Sequence, residues 1–466
     1  MATHSTRSRQ RALVVGAGMA GLLTARILAD HYDTVTLIEQ DLLPDTPHNR
    51  RGVPQSAHLH GLLIGGRRTM EALLPGFTDQ LLTQGAPTFD FGTQFALLTP
   101  YGWAARSPST LTGISASRPL IEWTVRQLVL TVPNITLHQG MRVTGLTGDA
   151  AWVTGVRLQH GPAARSEEIL RADLVVDGGG RGSSGAHWPT VLGCPPVPAT
   201  IIDSRVGYAS RTYRIPTGYP TDWRACYVQT GPQRRRGAAL LPIEDGRWIV
   251  TLIGIGPERP SGRDDDFLPY ARSLATPLIA DALTTATPLS GVTSGRSTSS
   301  RRRIPPTNTP WPGNYLLTGD SLCCFNPIYA QGMTAAATQA ALLEDCLHHR
   351  PVTPGFARHY HHRAASRTQA LWDMAALTDL QHPETRGPDP TRTQRLLARY
   401  LARLQQASTQ DPAVQHAFLH VFNLLRPPAT LLSPRTATRV LLPAHRPPDQ
   451  ASCTAHRTGL PPGKTP

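Results

Sequence analysis

The spacing of apolar and polar residues changes along the chain, and the changes divide it into regions. Near the N-terminus, residues 12–15 and 34–38 are short apolar runs, the length of buried strands, with helical spacing between them at residues 22–29. Residues 174–176 and 315–317 are similar runs much later in the chain. The pattern predicts an α/β domain with a buried sheet, assembled from separated parts of the sequence.

Residues 196–300 have a different pattern, in which strand-like segments are separated by turn residues. This favours an antiparallel sheet with one face available to a ligand. After residue 350 the spacing becomes helical, with breaks at residues 383–390 and near Pro412. From Arg426 the chain is dense in Pro, Arg and Thr, which is typical of disorder.

The predicted fold is therefore a two-domain α/β (α+β) architecture with a helical C-terminal region. Its parts are a Rossmann-type domain from residues 10–75, 113–195 and 301–350, a second, β-rich domain from residues 76–112 and 196–300, a helical region at 351–430 and a disordered tail at 431–466.

A glycine motif follows the first predicted strand. Gly16, Gly18 and Gly21 have the G-x-G-x-x-G spacing of a dinucleotide-binding βαβ unit. Gly16 permits a tight turn, Gly18 lets a pyrophosphate approach the backbone, and Gly21 lets the helix pack closely on the sheet. Free N–H groups at residues 19–22 would face the phosphates. Glu39 can accept hydrogen bonds from ribose hydroxyls and would repel a 2′-phosphate, so FAD or NAD fits better than NADP.

Composition argues against several classes of function. The 466 residues suffice for two or more domains, and no run of about 18 apolar residues predicts a transmembrane helix. No secretory signal is recognisable before the βαβ unit, so we expect a cytoplasmic protein. The net charge is +14, but the arginines are scattered and no aromatic residues interleave with them. Nucleic-acid binding is therefore not expected.

Cysteine and lysine usage narrows the chemistry further. The six cysteines include no C-x-x-C pair and no zinc-ligand spacing, so we expect neither disulfides nor a metal site. Lys464 is the single lysine of the chain. Mechanisms that need an active-site lysine, including Schiff-base chemistry and lysine-dependent flavin halogenation, are therefore disfavoured.

Other polar residues are candidates for ligand contacts. His58 and His60 precede a predicted helix at residues 62–74, either as polar residues at a helix start or as ligand contacts. Arg118 stands at the start of a helix that Ser117 can cap, where a cation is unfavourable unless it meets an anion or a salt-bridge partner.

Two later segments that contain glycine are also candidates for ligand contacts. Asp320 follows a strand and a glycine, where it can accept hydrogen bonds from sugar-like hydroxyls. A second G-x-G-x-x-G match at Gly180, Gly182 and Gly185 precedes a proline-rich segment unsuited to a long helix. We interpret it as a turn beside the first cofactor site.

Three separated motifs now coincide, and together they resemble the FAD monooxygenases with a single Rossmann domain. They are GAGMAG with Glu39, the loop at residues 177–178, and Gly319-Asp320 followed by Pro327 and residues 331–333. The segments RRGVPQSAHLHGLL, SRPLIEWTVRQ, LPIEDGRWIVTL and GDSLCCFNPIYAQGMTAAA more closely resemble the flavin-dependent epoxidases of polyether ionophore biosynthesis, such as those of monensin and lasalocid. Ala57 and Ala330 depart from the usual arginine and glycine of these families.

The resemblance implies FAD as the cofactor, so the Rossmann-type domain would be the FAD-binding domain and the β-rich domain the substrate domain. Asp320 would bind the ribityl chain, the loop after it would hold the isoalloxazine ring, and Arg51 and Arg118 would lie near the pyrophosphate and the rest of FAD. The expected cofactor contacts are Gly16, Ala17, Gly18, Met19, Ala20, Gly21, Glu39, Gln40, Arg51, Arg118, Val143, Asp320, Pro327, Gly332 and Met333.

The implied activity is epoxidation of alkenes in a linear polyene polyketide through a C4a-hydroperoxyflavin, in antibiotic biosynthesis. O2 is the co-substrate, and NAD(P)H or a separate flavin reductase supplies electrons. The polyene is free or bound to a carrier protein. No catalytic side chain is expected, because the flavin carries the chemistry.

We expect an apolar pocket between the sheet of residues 196–300 and the flavin. Tyr208, Tyr213 and Trp248 are candidates for its wall, with core packing as the alternative role. Two other reactions stay open. One is hydroxylation of an aromatic or polyketide ring, with His58 or His60 as the base, and the other is reduction of isoprenoid double bonds.

Overall fold

The computed structural model describes residues 10–161, 167–295, 299–306 and 308–442. The strands are β1 (Arg11–Val15), β2 (Thr34–Glu39), β3 (Thr88–Asp90), β4 (Phe95–Thr99), β5 (Gly102–Trp103), β6 (Thr112–Ile114), β7 (Ile135–Gln139), β8 (Met141–Gly148), β9 (Val153–His160), β10 (Glu167–Arg171), β11 (Leu174–Asp177), β12 (Ala199–Ile202), β13 (Val206–Arg214), β14 (Ala225–Val228), β15 (Arg236–Ile243), β16 (Arg247–Ile255), β17 (Thr287–Pro288), β18 (Thr293–Gly295), β19 (Ser300–Arg303), β20 (Tyr315–Leu317) and β21 (Cys323–Cys324).

The helices are α1 (Met19–Leu28), α2 (Ile64–Leu73), α3 (Phe77–Thr83), α4 (Arg118–Leu130), α5 (Trp188–Val191), α6 (Asp264–Arg272), α7 (Leu278–Thr285), α8 (Gly332–His349), α9 (Phe356–Asp379), α10 (Arg392–Ala407), α11 (Pro412–Phe422) and α12 (Pro434–Leu441).

A parallel sheet forms the first layer, with the strand order β20-β11-β1-β2-β7. Its central strands are buried, because α1 packs against β1, β2 and β11 while β8 and β9 contact β2 and β11, which explains their continuous apolar runs. The predicted short runs at residues 12–15, 34–38, 174–176 and 315–317 all lie in this sheet. Residues far apart in the sequence therefore meet at one edge of it.

The predicted β-rich region forms a second sheet, with the strand order β17-β13-β16-β15-β14-β4-β5 and with β18 paired to β13. Most pairs are antiparallel, but β4 runs parallel to β14. One face packs on α6 and α7 through alternate residues such as Ala209, Tyr213 and Trp248. The other face lines a cavity, so the expected open face of this sheet is confirmed.

Smaller sheets connect the two layers. Strands β8, β9 and β10 form a meander, β12, β19 and β21 form a three-stranded sheet, and β3 pairs with β6. Residues 135–139 precede the meander and form the edge strand β7 of the parallel sheet.

The C-terminal region is helical as expected, and α9, α10 and α11 are separated at the predicted breaks. Thr391 begins α10 in a reciprocal capping arrangement with Gln394. The predicted disordered tail is wrong over its first residues, because α12 packs Val440 against Leu404 of α10. Residues 443–466, which complete that predicted tail, lie outside the described part of the chain.

A buried histidine ties α9 to the parallel sheet and makes folding sensitive to pH. The backbone N–H of Leu317 donates to Nε2 of His361 at 2.9 Å, and burial lowers the pKa of His361 to about 3. The unfolded chain therefore binds more protons than the native chain below pH 6.5. The stabilising contribution of neutral His361 is complete above pH 6.5 and is lost as the pH falls towards 3.

His361→Gln keeps an acceptor for Leu317 but removes this titration. We expect the free energy of unfolding of the wild type, minus that of His361→Gln, to decrease below pH 6 with a limiting slope of about 1.4 kcal/mol per pH unit. Denaturant unfolding at several pH values between 5 and 8 measures it. A difference that stays constant over this range would contradict the assignment.

Candidate functional site

The first glycine loop lies where β1 enters α1. Gly16 has a left-handed φ of +87°, and a Cβ on Gly21 would lie 1.8 Å from the carbonyl oxygen of Gly16. These two glycines are therefore required by the backbone itself. In contrast, a Cβ on Gly18 would meet nothing closer than Nη2 of Arg50, at 3.9 Å. The space above Gly18 and the N-terminus of α1 is open to the cavity, as an anion site requires.

Glu39 lies beside this loop and is 4% exposed. Its carboxylate accepts hydrogen bonds from the N–H groups of Ala17, at 2.9 Å, and Asp41, at 3.0 Å. It also lines the cavity, as does Gln40. The expected ribose acceptor is therefore held in place by the backbone before any ligand arrives.

Arg50, rather than Arg51, turns towards the first glycine loop, where its Nη2 donates to the carbonyl oxygen of Ala17 at 3.3 Å. Arg50 lines the cavity and forms ion pairs with Glu39 at 3.1 Å, Asp41 at 3.0 Å and Glu122 at 2.7 Å. Arg51 is exposed and lies outside the cavity wall. The two arginines share one loop and cannot be distinguished from the sequence alone, but the carboxylates of Glu39, Asp41 and Glu122 hold Arg50 inward.

Arg118 is buried at the start of α4. Ser117 caps the helix by accepting the N–H of Leu120 at 3.2 Å. One guanidinium nitrogen of Arg118 lies 2.8 Å from Glu122. Its Nη1 is buried and has no hydrogen-bond partner among the described residues. A buried cationic donor without a partner is costly, so Nη1 of Arg118 is a candidate to donate a hydrogen bond to a ligand.

The later Gly-Asp turn packs directly against the first glycine loop. Gly319 has a φ of +60°, and a Cβ there would lie 2.4 Å from Cβ of Ala20. Asp320 follows it and lines the cavity. Burial raises the pKa of Asp320, while Arg181, Arg301 and Arg118 oppose that rise. Segments about 300 residues apart in the sequence thus form one wall, as predicted.

The segment after this turn leads into α8. Pro327, Gly332 and Met333 all line the cavity. Ala330 adopts a left-handed φ of +55°, which suits the glycine usual in the related families better than alanine. Gln331 has a buried Oε1 with no hydrogen-bond partner in the described part of the chain.

The second glycine match belongs to the same site, which agrees with its interpretation as a turn. A Cβ on Gly178 would lie 3.0 Å from the backbone nitrogen of Gly21, so the two loops touch. Asp177 holds the loop by accepting hydrogen bonds from Gly179 N–H and the Ser183 hydroxyl. Burial raises the pKa of Asp177 to about 6.

Most of these groups line one cavity of about 1110 Å³. Its first half is lined by the glycine loops, Glu39, Arg118, Val143 and Asp320. Its second half is lined by apolar and aromatic side chains of the antiparallel sheet and neighbouring segments, namely Phe89, Phe91, Phe95, Tyr208, Tyr227, Leu241, Ile253, Tyr329 and Phe422. Of the expected cofactor contacts, Ala17, Gly21 and Arg51 lie outside its wall.

The two histidines line the cavity between its halves. Nδ1 of His58 lies 2.8 Å from the hydroxyl of Ser210, and burial lowers the pKa of His58 to about 4. Nδ1 of His60 lies 3.0 Å from the carbonyl oxygen of His58, to which it donates. Burial, followed by the charge of Arg118, lowers the pKa of His60 to about 3. Both rings are therefore neutral near pH 7.

Of the three proposed wall residues, Tyr208 lines the cavity and the other two do not. Tyr213 lies five positions further along β13, so it points to the opposite face, where it packs near Phe267. Trp248 lies on that same face and stacks on Trp223. Both belong to the core beneath α6 and α7, which was the alternative role for them.

Sequence reasoning missed several lining residues. Thr251 lines the cavity from β16, and Arg181 lines it from the second glycine loop. Ser210 on β13 forms a hydrogen bond with Thr251, and alternation from Tyr208 would have placed Ser210 on the same face of the sheet, because residues i and i+2 share a face. The aromatic residues of β3, β4 and α11 carry no comparable local signal.

The described residues contain no group of three or more His, Cys, Asp or Glu side chains placed to hold a metal ion. The five cysteines within them are buried and free, and Cys453 lies outside them. In the part of the chain that the structure describes, no helix has the length and apolarity to cross a membrane.

Comparisons with known proteins agree with this geometry. The chain is 30% identical to protein Rv3254 of Mycobacterium tuberculosis over 435 residues, which covers 90% of both chains. Among solved structures it resembles flavin-dependent brominase Bmp2, with a TM-score of 0.65, 14% identity, and 89% and 94% of the two chains covered.

It also resembles p-nitrophenol 4-monooxygenase PnpA from Pseudomonas putida DLL-E4, with a TM-score of 0.59, 16% identity, and 90% and 99% covered. No family model matches the sequence. The chain therefore belongs to the same family as Rv3254, and its fold is the Rossmann-type fold, with a C-terminal helical region, that flavin-dependent halogenases and monooxygenases share.

Proposed function

We propose that this protein is an FAD-dependent monooxygenase that epoxidises alkenes of an elongated apolar substrate, a linear polyene polyketide. The observation that carries the proposal is the single cavity with one polar half and one apolar half. Its volume of about 1110 Å³ exceeds the roughly 300–1,000 Å³ of a pocket for one small ligand. The two linings suit a dinucleotide and a hydrophobic substrate side by side.

The residues of the polar half fit FAD. The space above Gly18 admits a pyrophosphate at the N-terminus of α1, and Glu39 is placed for the adenosine ribose. The unpaired Nη1 of Arg118 can donate to an anionic or carbonyl oxygen of the cofactor. Asp320 also lines the cavity, and its carboxylate can accept hydrogen bonds from ribityl hydroxyls. Pro327 and Gly332 would then lie beside the ring.

Bound FAD would supply the transfer of one oxygen atom from O2 to the substrate once it is reduced. The chain's own contribution is to exclude water and hold the alkene against the flavin. Phe89, Phe91, Phe95 and Ile253 provide an apolar wall for both tasks. Epoxidation requires no side chain as a nucleophile or base, which agrees with a cavity whose histidines are weak bases.

The low basicity of the two cavity histidines favours epoxidation over hydroxylation of a phenol. A general base works best when its pKa lies near the operating pH. Burial lowers the pKa of His58 to about 4 and that of His60 to about 3, and Nδ1 of each ring is already engaged within the protein. Neither histidine is therefore suited to activate a phenol. The single lysine, Lys464, likewise gives no support for a lysine-dependent halogenation.

The test is turnover of a linear polyene ketone with FAD, a reductant and ¹⁸O-labelled O2. We expect one ¹⁸O atom in the product and NMR signals of an epoxide ring in place of an alkene. Because hydroxylation adds the same mass, the NMR spectrum decides between the two. A product with a reduced double bond and no ¹⁸O would instead establish the isoprenoid reductase alternative.

The source of electrons is tested separately. We expect FAD in the purified protein to be reduced either by NAD(P)H alone or only after addition of a flavin reductase. Anaerobic stopped-flow measurement of the flavin absorbance, with NADH, NADPH or reductase plus NADPH, distinguishes the two routes. The turnover assay, repeated with the polyene attached to an acyl carrier protein, shows whether a carrier is needed.

A further inference from the structure

A chain of hydrogen bonds fixes the orientation of His58 at the edge of the apolar half. Nδ1 of His58 lies 2.8 Å from Ser210 Oγ, and Ser210 Oγ lies 2.6 Å from Thr251 Oγ1. Thr251 Oγ1 also accepts the backbone N–H of Leu59, at 3.1 Å. His58 packs edge-on against Tyr208, with ring centres 4.4 Å apart. The histidine ring is thus held on two sides.

The direction of the protons follows from the ends of this chain. Leu59 N–H can only donate, so Thr251 Oγ1 uses a lone pair there. The direction that gives both hydroxyl protons an acceptor within this chain is the one in which Thr251 donates to Ser210 and Ser210 donates to Nδ1 of His58. In the opposite direction the hydroxyl proton of Thr251 has no acceptor among these atoms. Nδ1 is therefore an acceptor, and the neutral ring carries its proton on Nε2.

This Nε2–H is a donor that the protein leaves unused. His58 lines the cavity, and its Nε2 has no hydrogen-bond partner among the described residues. The same short segment reaches the loop proposed to hold the flavin ring, since a Cβ on Gly61 would lie 3.0 Å from Cβ of Ala330. His58 therefore stands where the apolar half meets the proposed ring position.

We propose that Nε2–H of His58 binds an oxygen atom of the substrate, a ketone, ester or ether oxygen close to the reacting alkene. The substrate is then an oxygenated polyene rather than a hydrocarbon, and His58 determines which alkene faces the flavin. Ser210 and Thr251 are positioning residues, because they act by keeping the proton on Nε2. This inference rests on the proposed function for the identity of the reaction, but the hydrogen bond itself can be measured without turnover.

The test compares two probes of the same length, farnesylacetone and the hydrocarbon in which its carbonyl is replaced by CH2. We expect wild-type protein to bind the ketone about 10-fold more tightly than the hydrocarbon, after correction for their different transfer free energies from water. His58→Phe should abolish that preference while retaining hydrocarbon binding. His58→Gln, which can place an N–H near the position of Nε2, should restore much of it.

Nitrogen-15 NMR of histidine-labelled protein gives a second readout. It should show the Nε2–H form of His58 in the wild type, a shift of Nε2 on addition of the ketone, and a mixture of tautomers in Thr251→Val. Equal affinity for both probes, no detectable binding of either, or an unchanged ketone preference in His58→Phe would overturn the proposal. So would a loss of FAD affinity in His58→Phe with the ketone preference intact, since His58 would then face the flavin.

The inference and the proposed function can fail separately. Wild-type protein that binds no flavin but still prefers the ketone would overturn the monooxygenase proposal and leave the role of His58 standing. Protein that forms the epoxide but binds the ketone and the hydrocarbon equally well would support the monooxygenase proposal and overturn the proposed role of His58.

Discussion

Gly18→Glu is expected to abolish FAD binding while the protein stays folded. A side chain at this position meets open space within the protein, with Arg50 3.9 Å from the Cβ, but it would fill the place of the pyrophosphate. We expect the dissociation constant for FAD, measured by fluorescence quenching, to rise by roughly 100-fold or more. The melting temperature of the apoprotein should not fall, because a carboxylate at the N-terminus of α1 is favourable there.

Two control variants distinguish a loss of the FAD site from a general effect of the substitution. Gly145→Glu places the same side chain at a glycine that also has open space but lies outside the cavity, so FAD affinity should be unchanged. Gly21→Ala should instead lower the free energy of unfolding by about 2–3 kcal/mol or more, since its Cβ would overlap the carbonyl of Gly16. Wild-type affinity in Gly18→Glu would place the dinucleotide elsewhere.

Asp320→Ala is expected to weaken FAD binding without destabilising the apoprotein. Burial raises the pKa of Asp320, so its ionised form is held in the cavity at a cost, with the arginines 181, 301 and 118 compensating only in part. Loss of a hydrogen bond from a ribityl hydroxyl to a charged group should raise the dissociation constant by about 10- to 100-fold. Asp320→Asn keeps one acceptor oxygen, so it should raise the dissociation constant for FAD less than Asp320→Ala does.

The control for this prediction is Asp389→Ala, at an exposed carboxylate outside the cavity, which should leave FAD affinity unchanged. Melting temperatures with and without FAD complete the experiment. Asp320→Ala should reduce the increase in melting temperature that FAD produces, whereas the melting temperature of the apoprotein should stay the same or rise. A large fall in apoprotein stability would assign Asp320 a structural role instead.

The parts of the site that the sequence predicted are those in which the backbone requires a particular residue. Gly16 needs a left-handed φ and Gly21 has no room for a Cβ, so both leave a local signal in a fixed spacing. Asp320 was also found locally, from a glycine and an acid after a short apolar strand. These features do not depend on distant residues for their interpretation.

The features that the sequence did not predict depend on tertiary contacts. Arg50 and Arg51 are neighbours in one loop, and Glu122 from α4 is one of the residues that select Arg50. Tyr208 and Tyr213 are both in β13, and only the position of α6 and α7 distinguishes core from cavity. The helix α12 lies in a segment whose composition suggests disorder, but it is stabilised by Leu404 on α10.

We expect the cavity to hold one FAD along its polar half, with the adenosine end at the early glycine loop and the ring beside residues 327–333. A crystal structure of the protein grown with equal concentrations of FAD and NAD tests this most directly. We predict FAD, with its pyrophosphate at the N–H groups of residues 19–22, a ribose on Glu39, and its ring facing the antiparallel sheet. NAD in that groove, or FAD bound away from Gly18 and Asp320, would contradict the account.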